Sequence, residues 1–277
     1  MSTPAGAPAP VPSVGIMSVD ASPRDLLRQI AVIAATVFML IAAMVGTGLF
    51  GGTSVQDLQG GALAEDGSYL APAGPAFSIW TVIYVGLIAY AVWQALPGQR
   101  RNERQRALGW GIALSEVLNG LWLVAAQFTT LPLTVLTIAL LLATLGVVFR
   151  RIVAEPGRGV VEAILVDGVT GLHLGWVTLA TVANVSAWLT QIAPPEWAAG
   201  AEVWGLVVLV VVALVGCVMG WLGRGRLAPA AALAWGLAWL GVGRLSGEPQ
   251  SAILGVAAIV VALMIVAVTL VRRLRTR

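Results

Sequence analysis

The chain has 277 residues, 58% of them apolar and only 10% charged, with a net charge of +3 and a mean hydropathy of +0.91. A soluble domain carries about 25% charged residues, so a soluble globular protein is excluded. The pI near 9.7 is no argument for nucleic acid, because the basic residues are placed as a membrane orientation signal.

Residues 1–24 read as a disordered tail rich in Pro, Ala, Gly and Ser. They lack the basic start and apolar core of a signal peptide, and Met17 is an alternative start. Ser22-Pro23-Arg24-Asp25 predicts a helix start, with Ser22 as cap, Pro23 at the first helical position and Asp25 closing a capping box. Eight hydrophobic runs follow, over about 29–50, 76–96, 107–128, 132–149, 167–190, 203–222, 228–244 and 251–271. Each approaches the span that a helix needs to cross a bilayer, and no strand-like alternation competes. The expected fold is an all-α integral membrane protein of about eight transmembrane helices.

All 16 basic residues are arginine. Those at 24 and 28 precede the first run. Arg100, Arg101, Arg104 and Arg106 follow the second, and Arg150, Arg151 and Arg158 follow the fourth. Arg224 and Arg226 follow the sixth, while Arg272, Arg273, Arg275 and Arg277 end the chain. Only Arg244 falls on the opposite side, whose loops carry Asp57, Glu65, Asp66, Glu196 and Glu202. By the positive-inside rule both termini are cytoplasmic and the span count is even. The single cysteine, Cys217, permits no intramolecular disulfide.

Three runs pair tryptophan with a polar partner at helical spacing. They are Trp80-x3-Tyr84, Leu118-Asn119-x2-Trp122 and Trp176-x3-Ala180-x3-Asn184. Four residues advance a helix by about 400°, so Trp176, Ala180 and Asn184 fall within roughly 80° of one face. That face offers an aromatic wall, a methyl-sized gap and an amide, the lining of a polar-tipped pocket between helices. Glu116 lies roughly 14 Å into the third run at 1.5 Å per residue. A carboxyl at that depth is costly and is a functional candidate by default. His173, the only histidine, lies one turn before Trp176.

The order of these motifs resembles the TspO/MBR family, the tryptophan-rich sensory proteins related to the mitochondrial translocator protein. Pro72-Ala-Gly-Pro75-Ala-Phe77-Ser-Ile-Trp80-Thr-Val-Ile-Tyr84 is similar to that family's proline-rich approach to its second helix. Leu118-Asn119-Gly-Leu-Trp122 and Trp176-Val-Thr-Leu-Ala180-Thr-Val-Ala-Asn184 resemble its third- and fifth-helix motifs. The likeness covers roughly residues 29–192. Phe77 and Trp80 stand three apart where the family usually has four, and Leu172-His173 replaces a Pro-Tyr. The resemblance implies a TspO-like five-helix membrane domain over 25–192; the three further helices over 193–277 are an extension that departs from the family's five. It also implies a pocket closed by the first loop, frequent homodimers, and binding of tetrapyrroles (porphyrin or haem) or sterol-like ligands. No cofactor is required, although a porphyrin or haem can be bound. The candidate ligand-binding residues are Trp80, Tyr84, Glu116, Asn119, Trp122, His173, Trp176, Ala180 and Asn184.

Each candidate has a plainer reading. Trp80 fits an interfacial aromatic belt as well as a pocket, and Trp93 and Trp188 fit the belt better. Trp110, Trp197, Trp204, Trp221, Trp235 and Trp239 have no motif, so packing or interface is their default. Asn119 and Asn184 serve equally as hydrogen bonds between helices. Glu116 serves as a carboxyl bonded to a neighbouring helix, and Asp167 as a solvated interfacial charge. His173 as an axial haem ligand competes with a simple hydrogen bond. Gly216-x3-Gly220 reads as a tight helix contact, within the chain or between subunits.

Three functions follow: a membrane receptor, sensor or carrier for a hydrophobic ligand; a proton-coupled secondary transporter using Glu116; and a membrane enzyme acting on a lipid or pigment. The first accounts for the motifs. The second lacks a visible inverted repeat, and the third lacks any catalytic or metal-binding signature, so a non-enzyme is expected. The expected partners are the lipid bilayer and a small hydrophobic ligand, and not nucleic acid. The expected location is a bacterial inner membrane.

Overall fold

The computed structural model describes residues 22–49 and 53–276. Among them, eight long helices answer the eight runs: α1 (Pro23–Gly46), α2 (Ile79–Ala95), α3 (Glu103–Phe128), α4 (Leu131–Ala154), α5 (Val160–Ile192), α6 (Ala201–Leu222), α7 (Leu227–Ser246) and α8 (Ala252–Arg275). No strand occurs among the described residues. Seven of these helices are long and apolar enough to cross a membrane. The exception is α7, whose hydropathy is lowered by Arg244, Pro229 and its Gly and Trp residues. The chain is an all-α integral membrane protein. Most of the expected tail, residues 1–21, lies outside the described residues, as does Arg277.

The helix ends follow local chemistry. Ser22 and Asp25 form the expected capping box, with Pro23 in the first turn of α1. Asn102 caps α3 by accepting from the Arg104 and Gln105 amides, and Ser251 caps α8 by accepting from Leu254. The third run starts earlier than hydropathy places it, because Glu103–Arg106 already form the first turn of α3. A π-helical turn, Ala163–Gly168, lies near the start of α5.

Helices α1 to α5 close into a ring. α1 packs on α3, α3 on α4 and α4 on α5, while α2 fills the gap between α5 and α1. The ring encloses a main core, which includes Met39, Ile83, Leu108, Ile112 and Trp176, and a second cluster of Leu118, Ile138, Leu141, Leu145 and Val177 between α3, α4 and α5. The last three helices form a second group, with α7 against α5, α8 against α7 and α6 against α8. Its core joins Leu209, Leu233, Leu237, Leu254 and Ile265 to Leu179 of α5 and Leu70 of the first loop. The backbones of α5 and α7 meet so closely at Gly175 that an added Cβ would run into the Pro229 carbonyl. The spacing at Gly216 and Gly220 is used within the chain, where these glycines face Ile265 and Thr269 of α8.

At the arginine-rich end, Asp167 is a buried ion-pair node, not the solvated charge that its position in the sequence suggests. It pairs with Arg104 of α3 and with Arg226 before α7, the latter at 2.8 Å. Arg104 also reaches Glu162 at 3.4 Å, and Arg226 donates to the Ile152 carbonyl at 3.0 Å. At the other end, Arg244 is not in a loop. It closes α7 and is only 1% exposed.

Candidate functional site

A cavity of about 720 Å³ lies inside the five-helix ring, opening toward the end opposite the arginines and covered there by the loop between α1 and α2. All five ring helices contribute to its wall. Leu40, Ala43 and Met44 come from α1, and Ile138 and Leu141 from α4. The loop adds Ser54, Val55, Ala62, Leu63 and Pro72. Of the residues singled out from sequence, Trp80, Tyr84, Asn119, Trp122, Trp176, Ala180 and Asn184 all line this space. Glu116 and His173 do not.

The aromatic wall is built around Trp176. Phe77 meets its ring edge-on at a centroid distance of 5.6 Å, and Trp80 does so at 6.1 Å. Trp80 in turn leans on Tyr84 one turn along α2, at 5.2 Å. The short Phe77–Trp80 spacing has a structural reason. Gly74–Ser78 is a 3-10 turn leading into α2, and at three residues per turn positions i and i+3 share a face. Both rings therefore still reach Trp176. T-shaped and offset arrangements are those that aromatic quadrupoles favour.

The polar groups in the wall are largely occupied. The Trp122 indole N–H donates to Asn184 Oδ1 at 3.0 Å, tying α3 to α5, and the Asn184 amide donates to the Ala180 carbonyl at 2.8 Å. Tyr84 donates to Asn119 Oδ1 at 3.4 Å, tying α2 to α3. The Asn119 amide nitrogen lies 3.2 Å from His173 Nε2. The two asparagines thus cross-link helices and edge the cavity at once. A bound molecule meets mainly hydrocarbon and aromatic surface.

Glu116 and His173 sit behind this wall. His173 is fully buried, with Trp80 edge-on to its ring at 5.8 Å. Its Nε2 faces Asn119, so that nitrogen is not presented to the cavity as an axial ligand. Glu116 is also fully buried, and its Oε2 lies 2.8 Å from the Thr36 hydroxyl of α1. No ion pair to Glu116 occurs among the described residues. The carboxyl makes a bond between α1 and α3, not a contact with whatever fills the cavity.

Other contributors carry no sequence signal. Leu40, Ala43 and Met44 read as ordinary residues of a membrane helix, and nothing in their spacing separates a cavity face from a lipid face. Trp235 and Trp239 stand outside every motif, yet they hold the chain that leads into the pocket. The Trp235 indole donates to the Ala76 carbonyl at 3.0 Å, and the Ala73 amide donates to the Trp239 carbonyl at 3.3 Å.

In comparisons with known proteins, the family model described as TSPO-like protein matches residues 28–271, from α1 into α8. No curated protein and no solved structure matches the chain. Since the matched span covers most of its length, including the last three helices, the chain belongs to the family of TSPO-like proteins.

Proposed function

We propose that this protein is a membrane receptor or carrier for a flat, largely apolar ligand of the tetrapyrrole or sterol-like class. The observation that carries the reading is the cavity of about 720 Å³, walled by Phe77, Trp80, Tyr84, Trp122 and Trp176. Small-molecule sites typically enclose roughly 300–1,000 Å³ and combine apolar walls with a few polar groups. Crossed aromatic rings suit a rigid planar ligand. The amides of Asn119 and Asn184 are already bonded, so polar recognition at the wall is limited, which suits a hydrophobic guest. The arginine-rich end is the cytoplasmic one under the positive-inside rule, so the loop-covered mouth opens to the outer face of a bacterial inner membrane. The geometry does not favour a transporter driven by Glu116, because that carboxyl is not on the cavity wall.

The test is titration of the purified protein with protoporphyrin IX, read by quenching of tryptophan fluorescence. Ala180→Phe fills the gap between the Trp176 and Asn184 turns and should weaken binding at least tenfold. Its unfolding midpoint should stay near that of the wild type, because Ala180 borders empty space. Unchanged affinity in a folded variant would place the ligand elsewhere.

A further inference from the structure

The loop that covers the cavity is held from two sides. Its first part supplies Ser54, Val55, Ala62 and Leu63 to the cavity wall and is tied down by Gln59. The Gln59 side chain donates to the carbonyls of Ala126 and Thr129 at the α3–α4 turn. Around that tie the backbone runs through three left-handed residues, Gln59, Gly60 and Gly61 (φ 54°, 67° and 79°). This conformation costs glycine little and other residues more.

The second part of the loop belongs to the other core. Leu70 is buried among the apolar residues of α6, α7 and α8. Arg244, at the end of α7, donates to the Ser68 carbonyl at 3.1 Å, the Glu65 carbonyl at 2.8 Å and the Glu248 carbonyl at 2.8 Å. Glu65 bonds in turn to the Gly74 amide. Trp239 and Trp235 hold Ala73 and Ala76 on the approach to α2. A guanidinium fits this task because its rigid fork presents several donors to separate carbonyls. A buried cation without a carboxylate is expensive unless such bonds offset the cost, and here both terminal nitrogens are bonded to carbonyls.

We propose that the last three helices act as an anchor for the pocket's cover, with Arg244 as the positioning residue that sets how fast ligand enters and leaves. The inference rests on the pocket reading above, but its structural half is independent of any ligand. With the second part of the loop fixed to α7 and Gln59 tied to the α3–α4 turn, the cover is held at both ends. When the Arg244 clasp is removed, the second part of the cover loosens, while the Gln59 tie still holds the first.

Three preparations test this, all in the full-length chain carrying Cys217→Ser: the otherwise unaltered protein, Arg244→Ala, and Arg244→Ala with Ala73→Cys and Gly243→Cys. A Cβ placed on Gly243 would lie 3.4 Å from the Ala73 Cβ, close to the separation that a disulfide needs. Hydrogen exchange of the amides in residues 62–78 is read first. It should be at least tenfold faster in Arg244→Ala and return toward the parent rate in the oxidised triple variant. Release of protoporphyrin IX should follow the same order, with reduction of the disulfide restoring fast release. Unchanged loop exchange in folded Arg244→Ala overturns the proposal. So does fast exchange accompanied by unchanged release. If Arg244→Ala does not fold, Trp235→Phe keeps an aromatic side chain but removes the indole N–H that bonds to the Ala76 carbonyl, and it should speed loop exchange by a smaller factor; no change there overturns the proposal. Failure of the parent to bind protoporphyrin IX strikes the proposed ligand class, and the exchange data then decide the anchor alone.

Discussion

Asp167 joins three parts of the fold, and replacing it with Asn measures how much that junction contributes. The carboxylate is 8% exposed and sits between Arg104, also 8% exposed, and Arg226, 24% exposed. At roughly 4 Å between charge centres and an effective dielectric near 20, one such pair attracts by about 4 kcal/mol before desolvation is counted. Desolvation offsets much of that, yet removing one partner of a buried pair typically costs about 3–5 kcal/mol because the other charge is left behind. The low end applies here, since Arg104 keeps Glu162 and the Glu155 carbonyl and Arg226 keeps the Ile152 carbonyl. Asp167→Asn should therefore destabilise by about 3 kcal/mol. Arg226→Gln should cost only about 1 kcal/mol, because its partner retains Arg104 and its own charge is partly solvated. The assay is reversible unfolding by SDS titration, followed by tryptophan fluorescence. If Arg226→Gln proves the worse variant, or if Asp167→Asn lies within about 0.5 kcal/mol of wild type, the node is not the junction that the geometry indicates.

Two further outcomes follow from named contacts. Glu116→Gln preserves the shape and the bond to Thr36, so both the unfolding midpoint and protoporphyrin affinity should match the wild type; a loss of affinity above threefold would mean that the carboxyl acts on the cavity. Gly175→Ala drives a methyl group into the Pro229 carbonyl and should destabilise by about 2 kcal/mol or more, as overpacking does. Gly146→Ala in α4 meets nothing within 4 Å and should instead stabilise by roughly 0.5–1 kcal/mol through helix propensity. Equal effects at these two glycines, again read by SDS unfolding, would rule out the close approach of α5 and α7.

The membrane helices and most of the pocket wall are legible in the sequence because both rest on local periodicity. A residue such as Asn184 is costly in lipid, so its position in the chain already marks an interior face. The same rule puts Glu116 and His173 inside, where they are, but burial alone does not say what a side chain faces. Both point to neighbouring helices, Glu116 to Thr36 and His173 to Asn119. Asp167 misleads for a related reason. Hydropathy puts it at an interface, and only the tertiary fold brings Arg104 and Arg226 against it. The contribution of α1 and α4 to the cavity has no signature, because Leu, Ala and Met suit lipid and ligand equally.

Arg244 links the arginine distribution to the cover of the pocket. In a charge count it is the single exception to an otherwise one-sided distribution of arginines. Its exemption is physical. A positive charge on the wrong side is tolerated when it is sequestered, and this one is enclosed by backbone carbonyls from the loop and from just beyond the end of its own helix. The loop carbonyls come from Glu65 and Ser68, in the segment that leads from the cavity cover into the tryptophan motif of α2. A residue that looks anomalous in the orientation signal thus joins Leu70, Trp235 and Trp239 in binding the three-helix group to the pocket cover. The family match runs through α7 into α8, so these helices lie within the matched span and not beyond it.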